Sequence, residues 1–517
     1  MIGKIKNRDE IKKIFLKRNK KKIVLCHGTF DLLHLGHINH LSEAKSFGDI
    51  LVVSVTSDKF VNKGPGRPFF NSRQRAEALS ALKNVDYVFI NKDFTSTKII
   101  KFLKPDFYCK GPDYRDSKKD LTGEIKNEIS ATKSIGGKVI YTTGSTFSSS
   151  NLINSFSDNI SKSQKVSINK INNEYNFSKI KHLIDELKDL KVLVIGETII
   201  DEYNFCEALG KSGKDPFLVF RDIKTEQYLG GAIAISKHLS QFCKKVKLLS
   251  VLGEKKEFLK EIKNELPKNI NYEFIAKKNS HTILKKRFVD NVSLNKVLGV
   301  YKLEDDPLSK KEENIFNKKL IKLIKKSDLV IVSDYGHGFI SKKSANIICS
   351  HSKYLAVNAQ INAGNIGYHS LKKYKNCDCV IINEREIRQE LREKNKKIEI
   401  LMRKLSASQK IKNLIVTRGN EGSVLLNKNK FFYSDGFAKK AVDKIGAGDA
   451  MLSLVSLALK KRFSKELSLL FGSVAGAQSV EGLGNKKSIQ KIKIVKALEH
   501  ILKWLNGKNF YIRQQFL

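Results

Sequence analysis

Short apolar segments alternate with amphipathic segments along the first 153 residues of the chain. The apolar segments predict strands at 22–26, 50–55, 85–90 and 138–141. Between them, hydrophobic residues recur at the spacing of one helix face, which predicts helices at 36–47, 71–83 and 95–103. Strands that alternate with helices in this way form a parallel sheet with helices on both faces. The pattern therefore predicts an α/β domain.

A second alternation of the same kind begins at the apolar segment KVLVIGE and continues to about residue 505. Its predicted strands lie at 191–197, 246–251, 328–333, 354–357, 379–382 and 413–417. Its later helices are predicted at 447–460, 464–481 and 491–504. This long alternation predicts one further, larger α/β domain.

A polar segment, SDNISKSQKVSINKINNEYNF at 157–177, separates the two alternations and has little apolar periodicity. Such a composition is typical of a linker. We therefore predict a first domain at 1–156, a linker at 157–177 and a second domain at 178–517. The 517 residues are enough for two domains of unequal size.

The chain is strongly basic, with 96 Lys and Arg against 53 Asp and Glu, a formal net charge of +43. Such a charge is found in nucleic-acid-binding proteins, but also in proteins whose solvated surfaces are simply rich in lysine. The basic residues are nearly all Lys, interleaved with acidic residues, without an arginine-rich tract or zinc-finger spacing. We favour the second explanation and expect no nucleic-acid partner, although the positive field suits anionic substrates.

Seven cysteines are scattered along the chain, and three of them lie in or beside apolar segments. This pattern favours buried thiols in a reducing cytoplasm over disulfides, and the isolated Cys377-Asp378-Cys379 does not predict a metal site. The charged start MIGKIKNRDE predicts no signal peptide. No apolar run reaches the roughly 18 residues of a membrane span, so we expect a cytoplasmic protein without a membrane partner.

The first candidate for chemistry follows the first predicted strand, where HGTFDLLHLGH occupies residues 27–37. His34, Gly36 and His37 open the next helix, and helix N-termini present free N–H groups to anions. Gly36 lets a phosphate approach the backbone, and two imidazoles can donate hydrogen bonds to a phosphorus centre that gains charge. The segment therefore predicts a phosphate site.

These residues, taken together, resemble the HxGH nucleotidyltransferases over 27–153, a family with a Rossmann-like fold. The resemblance implies that His34, His37 and the loop residue Lys63 are catalytic. It implies nucleotide binding by Gly28, Thr29, Phe30, Asp31, Gly36, Lys110, Ser148, Ser149 and Ser150. The segment Lys110-Gly111-Pro112-Asp113-Tyr114 is similar to the heptose-1-phosphate adenylyltransferase branch, whereas glycerol-3-phosphate cytidylyltransferases lack it. For Lys63, a solvated surface lysine is the alternative.

The reaction that this resemblance implies is in-line attack by a sugar-phosphate oxygen on the α-phosphorus of ATP or CTP, with pyrophosphate leaving. Positioning and charge stabilisation would supply most of the catalysis. Mg²⁺ would bridge the leaving oxygens.

The second candidate is DKIGAGD, directly before the helix predicted at 447–460. The small residues Gly446, Ala447 and Gly448 before a helix form an anion hole, and Asp449 can take a proton from a substrate hydroxyl. Other polar and glycine-rich segments precede it in the order GG at 230–231, NEREI at 383–387 and TRGNEG at 417–422.

Together these segments resemble the ribokinase-like (PfkB) sugar kinases over about 190–505. The resemblance implies that Asp449 is the catalytic base. It implies an ATP and anion site formed by Thr417, Gly419, Gly446, Ala447 and Gly448, a sugar site formed by Asp201, Gly230, Gly231 and Asn358, and Mg²⁺ held by Asn383 and Glu386. The segment SDYGHG at 333–338 is most similar to heptose-7-phosphate kinases.

Three departures separate the chain from bifunctional enzymes that combine a heptose-7-phosphate kinase with a heptose-1-phosphate adenylyltransferase. The transferase part comes first in this chain. Ile233-Ala234 replaces an Ala-Asn pair whose Asn contacts the sugar. Asn358 and Gln360 stand where a charged segment like IDPK is usual. The last two changes bear on which sugar is recognised or on the strength of the kinase.

The leading interpretation is a bifunctional sugar-activating enzyme. ATP phosphorylates a sugar or sugar phosphate at the anomeric position, and a nucleotidyl group from ATP or CTP is then transferred to the sugar 1-phosphate. An alternative keeps the transferase, for example one like the glycerol-3-phosphate cytidylyltransferases, and makes the kinase-like part a regulatory module. A third interpretation, nucleic-acid binding, rests on net charge alone. A homodimer is left open.

Overall fold

The chain divides into two compact units, one formed by Met1–Asn159 with Val495–Leu517 and the other by Ile160–Ile494. A computed structural model describes residues 2–16, 19–61, 68–93, 95–114, 124–143, 162–362, 364–438, 442–486 and 488–514. Each unit is an α/β structure and is considered by itself.

In the described part of the first unit, five strands form one parallel sheet in the order β3-β2-β1-β4-β5. The strands are β1 (Ile23–Gly28), β2 (Ile50–Thr56), β3 (Tyr87–Asn91), β4 (Phe107–Lys110) and β5 (Lys138–Tyr141). The chain passes from β1 to one side of the sheet and later returns to the other side at β4. The carboxyl ends of β1 and β4 therefore flank the switch point at which ligands bind in such sheets.

Helices cover both faces of this sheet. They are α1 (Arg8–Leu16), α2 (Leu35–Ser46), α3 (Ser72–Ser80), α4 (Thr97–Leu103) and α5 (Glu124–Ser134). Alternate residues of β1 enter two hydrophobic clusters: Val24 and Cys26 belong to one, Ile23 and Leu25 to the other. Because successive side chains of a strand point to opposite faces, these clusters lie on the two sides of the sheet.

The second unit has a larger sheet, whose described strands follow the order β10-β9-β6-β13-β14-β15-β16-β17-β18. Its strands are β6 (Lys191–Gly196), β9 (Lys245–Gly253), β10 (Ile270–Lys277), β13 (Leu329–Asp334), β14 (Leu355–Ala359), β15 (Cys379–Asn383), β16 (Asn413–Thr417), β17 (Ser423–Asn427) and β18 (Lys430–Ser434). The pairs are parallel up to β16, and β17 and β18 then add antiparallel hairpins.

A smaller sheet of the second unit follows the order β12-β11-β7-β8 in the described residues. Its strands are β7 (Thr198–Lys211), β8 (Leu218–Gly231), β11 (Ile283–Asp290) and β12 (Lys296–Lys302). We call it the small sheet. The strand patterns of the sequence did not predict it.

The helices of the second unit are α6 (Lys162–Glu174), α7 (Phe177–Glu186), α8 (Ala232–Ser240), α9 (Leu259–Glu265), α10 (Lys310–Lys325), α11 (Lys342–His351), α12 (Glu384–Leu391), α13 (Ile398–Gln409), α14 (Ala447–Lys460) and α15 (Lys465–Ser479). Helices α10 to α13 share a large hydrophobic cluster with the larger sheet, whose strands supply half of its buried residues. Helix α16 (Lys491–Gln514) begins in this unit and belongs to the first unit from Val495 on.

The segment interpreted as a linker, 157–177, differs from that expectation over 162–174, which form α6. Ile168 and Ile171 of this helix are buried, and the Ser167 hydroxyl donates a hydrogen bond to the Tyr433 carbonyl at 3.4 Å. Three apolar positions, 168, 171 and 175, lie at helical spacing among polar residues and are enough to hold the helix against the second unit. Among the described residues, no helix is both long and apolar enough to cross a membrane.

Candidate active sites

The segment HGTFDLLHLGH turns from the end of β1 into α2. Phe30 adopts a left-handed conformation (φ 50°) in the turn, and His34 is the N-cap of α2. The rings of His34 and His37 are stacked with their centroids 3.9 Å apart, and the Phe30 ring meets His37 edge-on at 5.3 Å. The predicted pair of imidazoles is therefore brought together at a helix N-terminus, with Gly36 between them in the first turn.

The turn is held from behind by two buried charged side chains. Asp31, expected to contact nucleotide, accepts hydrogen bonds from the backbone N–H groups of Phe69 and Phe70 at 2.7–3.0 Å. The Arg75 guanidinium donates to the Thr29 carbonyl at 2.6 Å and to the Phe70 carbonyl at 2.9 Å. Arg75 was missed from the sequence because an arginine in the polar run SRQR looks like a surface residue.

Lys110 ends β4 at the same sheet edge as the end of β1. Its side chain is buried, pairs with Glu128 at 2.8 Å and lies over the Tyr114 ring at 4.6 Å. Burial lowers the pKa of Lys110, but Tyr108 and Glu128 outweigh it and hold the pKa above its usual value. Lys110 is therefore a fixed cation beside the switch point of the sheet.

Other predicted residues of this site fall into two groups. Gly28 ends β1, and a Cβ atom there would lie 3.0 Å from the Phe30 ring, so a larger residue would displace the turn. Lys63 and Ser148, Ser149 and Ser150 lie outside the described residues.

The second unit contains a cavity of about 620 Å³ between the larger sheet and the small sheet. It gathers residues that are far apart in the sequence. The predicted residues that line it are Asp201, Gly231, Asn358, Asn383, Glu386, Thr417, Gly419, Gly446, Ala447, Gly448 and Asp449.

The GAGD segment forms the start of α14 at this cavity. Gly446 is the N-cap with φ 88°, and a Cβ atom there would lie 2.3 Å from Oδ1 of Asn485. Gly448 faces open space, with no atom within 4 Å of its would-be Cβ position among the described residues. A helix N-terminus without side chains in front of it suits an anion.

Asp449, in the first turn of α14, lies at the wall of the cavity and is partly accessible from it. Its Oδ1 accepts a hydrogen bond from the Tyr335 hydroxyl at 3.0 Å. Burial raises the pKa of Asp449 to about 7, against the opposing effect of the Tyr335 hydrogen bond. A carboxylate with a pKa near neutrality is suited to general-base catalysis.

Tyr335 was not among the predicted site residues, although it belongs to the quoted segment SDYGHG. The buried Glu197 carboxylate fixes this segment by accepting the N–H groups of Tyr335 and His337 at 3.0 and 3.1 Å. Burial, together with the charge of Asp334, raises the pKa of Glu197 to about 7. The backbone of the turn is thus held so that the Tyr335 hydroxyl reaches Asp449.

Asp201 lies on β7 and also lines the cavity. Its Oδ1 accepts a hydrogen bond from Arg287 at 2.6 Å, and its Oδ2 lies 3.4 Å from Nδ2 of Asn485. A Cβ atom on Gly230 would lie 2.4 Å from Oδ2 of Asp201, and Gly231 has φ 60°. Gly230 therefore leaves the room that the Asp201 carboxylate occupies, and a Cβ atom on Gly231 would lie 2.3 Å from the Glu197 carbonyl oxygen.

Two basic side chains of β11, Lys285 and Arg287, line the cavity as well. Both are buried, and Lys285 lies over the rings of Tyr301 and Tyr335 at 5.5 and 5.8 Å. Burial lowers the pKa of Lys285. No local pattern indicated these two residues, since KKR in a lysine-rich chain is not distinctive and β11 itself was not predicted.

Asn383 and Glu386, the expected Mg²⁺ ligands, form a reciprocal capping box at the start of α12. The Asn383 side chain accepts the Glu386 N–H at 2.8 Å, and the Glu386 carboxylate accepts the Asn383 N–H at 2.7 Å. Burial raises the pKa of Glu386 to about 7, and the charge of Asp449 adds to the rise. The observed contacts of the motif are therefore structural, and its carboxylate faces a second carboxylate across the cavity.

The positions at which the sequence departs from the heptose kinases lie in or near this cavity. The Asn358 amide donates a hydrogen bond to the Ile381 carbonyl at 2.7 Å, and both Asn358 and Gln360 line the cavity. Ile233 and Ala234 are buried in the first turn of α8. The cavity therefore has neutral amides at 358 and 360 and no polar side chain from 233 or 234.

Two family models match the chain. The pfkB family carbohydrate kinase model matches residues 189–492, which is more than half of the chain, and the cytidylyltransferase-like model matches residues 25–156.

Two relatives share the printed name Bifunctional protein HldE. The one from Aliarcobacter butzleri is 41% identical over 139 residues, covering 26% of this chain and 29% of that protein. The one from Campylobacter jejuni strain RM1221 is 47% identical over 115 residues, covering 22% of this chain and 25% of that protein. The aligned part therefore spans less than a third of either relative.

A crystal structure of phosphofructokinase-2 from Escherichia coli in complex with potassium is similar to this chain with a TM-score of 0.50. The identity is 14%, and the match covers 60% of this chain and 99% of the other, so it bears on the fold alone. The predicted fold class, a Rossmann-like nucleotidyltransferase unit and a larger ribokinase-like unit, is confirmed. From the extent of the kinase match, the chain belongs to the pfkB family of carbohydrate kinases, with a cytidylyltransferase-like domain ahead of the kinase domain.

Proposed function

We propose that the chain activates a sugar in two reactions. The second unit transfers the γ-phosphoryl group of ATP to the anomeric hydroxyl of a sugar or sugar phosphate similar to heptose 7-phosphate. The first unit transfers a nucleotidyl group from ATP or CTP to a sugar 1-phosphate and releases pyrophosphate. The observation that carries the kinase step is the position of Asp449 in the first turn of α14, whose glycine-rich N-terminus lines the same cavity.

In the kinase step, Asp449 takes the proton of the sugar hydroxyl as its oxygen attacks the γ-phosphorus, and ADP leaves. The N–H groups at the start of α14 face the charge that develops on the transferred group. Asp201 orients the sugar through its hydroxyl groups. Thr417 and Gly419, which line the cavity, would contact ATP.

Magnesium suits this cavity because burial and, to a smaller extent, repulsion by the charge of Asp449 raise the pKa of Glu386 to about 7. A divalent cation near both carboxylates relieves that repulsion and favours their charged forms. Asn383 and Glu386 would hold the ion, which supplies charge neutralisation to the phosphates of ATP.

The buried cations Lys285 and Arg287 favour a sugar that already carries a phosphate. Arg287 is paired with Asp201, whereas Lys285 has a pKa lowered by burial, so an anionic ligand would stabilise its charged form. A phosphate group on the sugar provides such a charge. This supports a sugar phosphate over a neutral sugar.

The test compares two substrates, a sugar 7-phosphate and the same sugar without the phosphate, by measuring sugar-dependent ADP formation with the full-length protein. We expect the wild type to prefer the phosphorylated sugar and Lys285→Met to lose most of that preference through a higher KM. Lys286→Met is the matched control, because Lys286 points to the other face of β11 and pairs with Glu202 at 3.1 Å. Equal preference in wild type and Lys285→Met would rule out a phosphate subsite at Lys285.

In the transferase step, His34 and His37 would stabilise the charge that develops on the α-phosphorus, and Lys110 would contribute a fixed positive charge nearby. Lys63 and Ser148 to Ser150 are proposed for the phosphates of the nucleotide on the resemblance alone. Pyrophosphate release from ATP and from CTP, each with the same sugar 1-phosphate, distinguishes the two nucleotides.

The small sheet supports the proposal that the protein forms a homodimer. Its edge strand β12 is exposed along its whole length, with Val297, Leu298 and Val300 exposed by 43, 57 and 49%. An exposed apolar edge strand is usually covered or paired. Light scattering on the full chain and on Leu298→Lys tests this: we expect a dimer that the substitution converts to a monomer, and a monomeric wild type would refute it.

A further inference from the structure

A cluster of two thiols and one imidazole lies beneath the HxGH turn. Cys26 of β1 and Cys109 of β4 are direct partners in the parallel pairing of these strands, and both are fully buried. His40 reaches the same point from α2, one turn after His37. The two sulfur atoms and one ring nitrogen of His40 all lie within 4.8 Å of one another.

We propose that Cys26, His40 and Cys109 bind a zinc ion. Two thiolates and an imidazole are the ligand set that Zn²⁺ prefers, and soft sulfur ligands disfavour the oxygen-seeking Mg²⁺. Zinc binding would release the two thiol protons to solvent, and a water molecule would complete a tetrahedral arrangement.

The distances fit such an ion after small side-chain movements. Zinc bonds of about 2.3 Å to sulfur and about 2.0 Å to nitrogen place tetrahedral ligand atoms roughly 3.5–3.8 Å apart. The ligand atoms here, within 4.8 Å of one another, need to approach by at most about 1.3 Å. The two thiols already lie within hydrogen-bonding reach of each other.

A second contact orients the imidazole. Nδ1 of His40 lies 2.9 Å from the hydroxyl oxygen of Thr142, which is fully buried. The N–H of Thr142 in turn donates to the Lys110 carbonyl at 3.0 Å, so the hydroxyl is fixed relative to β4. Metal-binding histidines commonly hold one ring nitrogen in this way and present the other to the ion.

The alternative is that these cysteines are ordinary core residues, since free cysteine is among the most buried residue types. That alternative explains Cys26 and Cys109 but not why a histidine joins them, held by a buried hydroxyl, in an otherwise apolar cluster. A zinc ion would tie together β1, β4 and α2, the three elements that carry Lys110 and the two histidines of the turn.

The experiment uses the full-length protein, reduced, stripped with a chelator and titrated with Co²⁺ as a spectroscopic substitute for Zn²⁺. We expect roughly one Co²⁺ per chain with a near-ultraviolet thiolate-to-cobalt band and the visible bands of a tetrahedral site, all lost when Zn²⁺ is added. Cys109→Ser should weaken the thiolate band by about half and the affinity by at least about 10-fold, and His40→Gln should lower the affinity similarly. Cys243→Ser, which removes a buried thiol from the other unit, should behave like the wild type.

The thermal midpoint of the wild type should also rise on Zn²⁺ addition, and that rise should be smaller in His40→Gln. If Cys109→Ser does not fold, His40→Gln decides alone, because His40 is only partly buried. The absence of a thiolate band in the wild type overturns the proposal, and so does equal cobalt uptake by wild type, Cys109→Ser and His40→Gln.

Discussion

Replacing Tyr335 by Phe removes the hydrogen bond that holds Asp449, and it should move the pH dependence of the kinase. The Tyr335 hydroxyl lies 3.0 Å from Oδ1 of Asp449, and burial together with the charge of Asp449 keeps the tyrosine protonated by raising its pKa. The bond therefore stabilises the ionised carboxylate and lowers the pKa of Asp449, which burial sets near 7. Without it, the pKa must rise.

The size of the rise follows from the strength of such a bond. A hydrogen bond to a charged group contributes about 1.5–3 kcal/mol, and one pKa unit corresponds to about 1.4 kcal/mol. The pKa of Asp449 should therefore rise by about one to two units. At pH 7 the ionised fraction falls from about one half to between about 0.1 and 0.01, so kcat/KM should fall by about 5- to 50-fold. Near pH 10 the loss should largely disappear.

The assay is sugar-dependent ADP formation between pH 5.5 and pH 10, because the pH profile of kcat/KM reports the free enzyme's essential base. Tyr301→Phe is the matched control: it removes a hydroxyl from the same cavity, and we expect the acidic midpoint to stay in place. A Tyr335→Phe profile that is lower at every pH but has an unmoved midpoint would refute the role given to this hydrogen bond.

Two further predictions concern the second unit. Gly230→Ala should raise the KM for the sugar by about 10-fold or more, because its Cβ would lie 2.4 Å from Oδ2 of Asp201. The KM for ATP should change less. A KM for the sugar equal to that of the wild type would show that Asp201 does not contact the sugar. Asp449→Asn should raise the thermal midpoint at pH 8.5 by an amount that shrinks toward pH 4. Burial raises the folded-state pKa from 3.8 to about 7, so the cost of the charged carboxylate grows between these two pH values and is constant above them, on the order of 2 kcal/mol after allowance for its solvent access. A stabilisation that is independent of pH would contradict this.

The sequence predicted the parts of the fold whose strands are buried on both faces. The strands at 50–55 and 413–417 are continuous apolar runs, and they agree with β2 and β16 to within one residue. The small sheet was missed because β12 is exposed along its length and β8 has no buried residue over its first ten positions, so neither has the pattern of a buried strand. Helix α6 was missed because only a few apolar positions are needed to pack it on the rest of the second unit.

The site residues that belong to a contiguous motif could be predicted, whereas those that tertiary structure brings together could not. The segments HLGH and GAGD are recognisable as motifs in the sequence, and each lies at a helix N-terminus in the structure. Arg75, Lys285 and Tyr335 reach the two sites from helix α3, strand β11 and the loop after β13. Their role depends on burial and on a partner across the fold, which no local pattern in a lysine-rich sequence reveals.

Asn383 and Glu386 show that one local motif can have two explanations. From the sequence, the two residues were assigned to Mg²⁺ binding, but their spacing is also that of a capping box, which the structure contains. A local motif can therefore serve the helix and a ligand together. The metal role stays in the proposal because Glu386 lines the cavity and its carboxyl, with a pKa raised by burial and by the charge of Asp449, would be stabilised in its charged form by a cation.

The central claim is that one chain carries two chemically separate reactions. The most direct measurement is a double comparison on the full-length protein: sugar-dependent ADP formation, and pyrophosphate release with a supplied sugar 1-phosphate, for wild type, Asp449→Asn and His37→Ala. Asp449→Asn should nearly abolish ADP formation and leave pyrophosphate release largely intact. His37→Ala should lower pyrophosphate release by about 10²-fold or more, because it removes a group that stabilises the transition state, and should leave ADP formation largely intact. If Asp449→Asn silences both reactions while the protein remains folded, the two sites are not separate and the account is wrong.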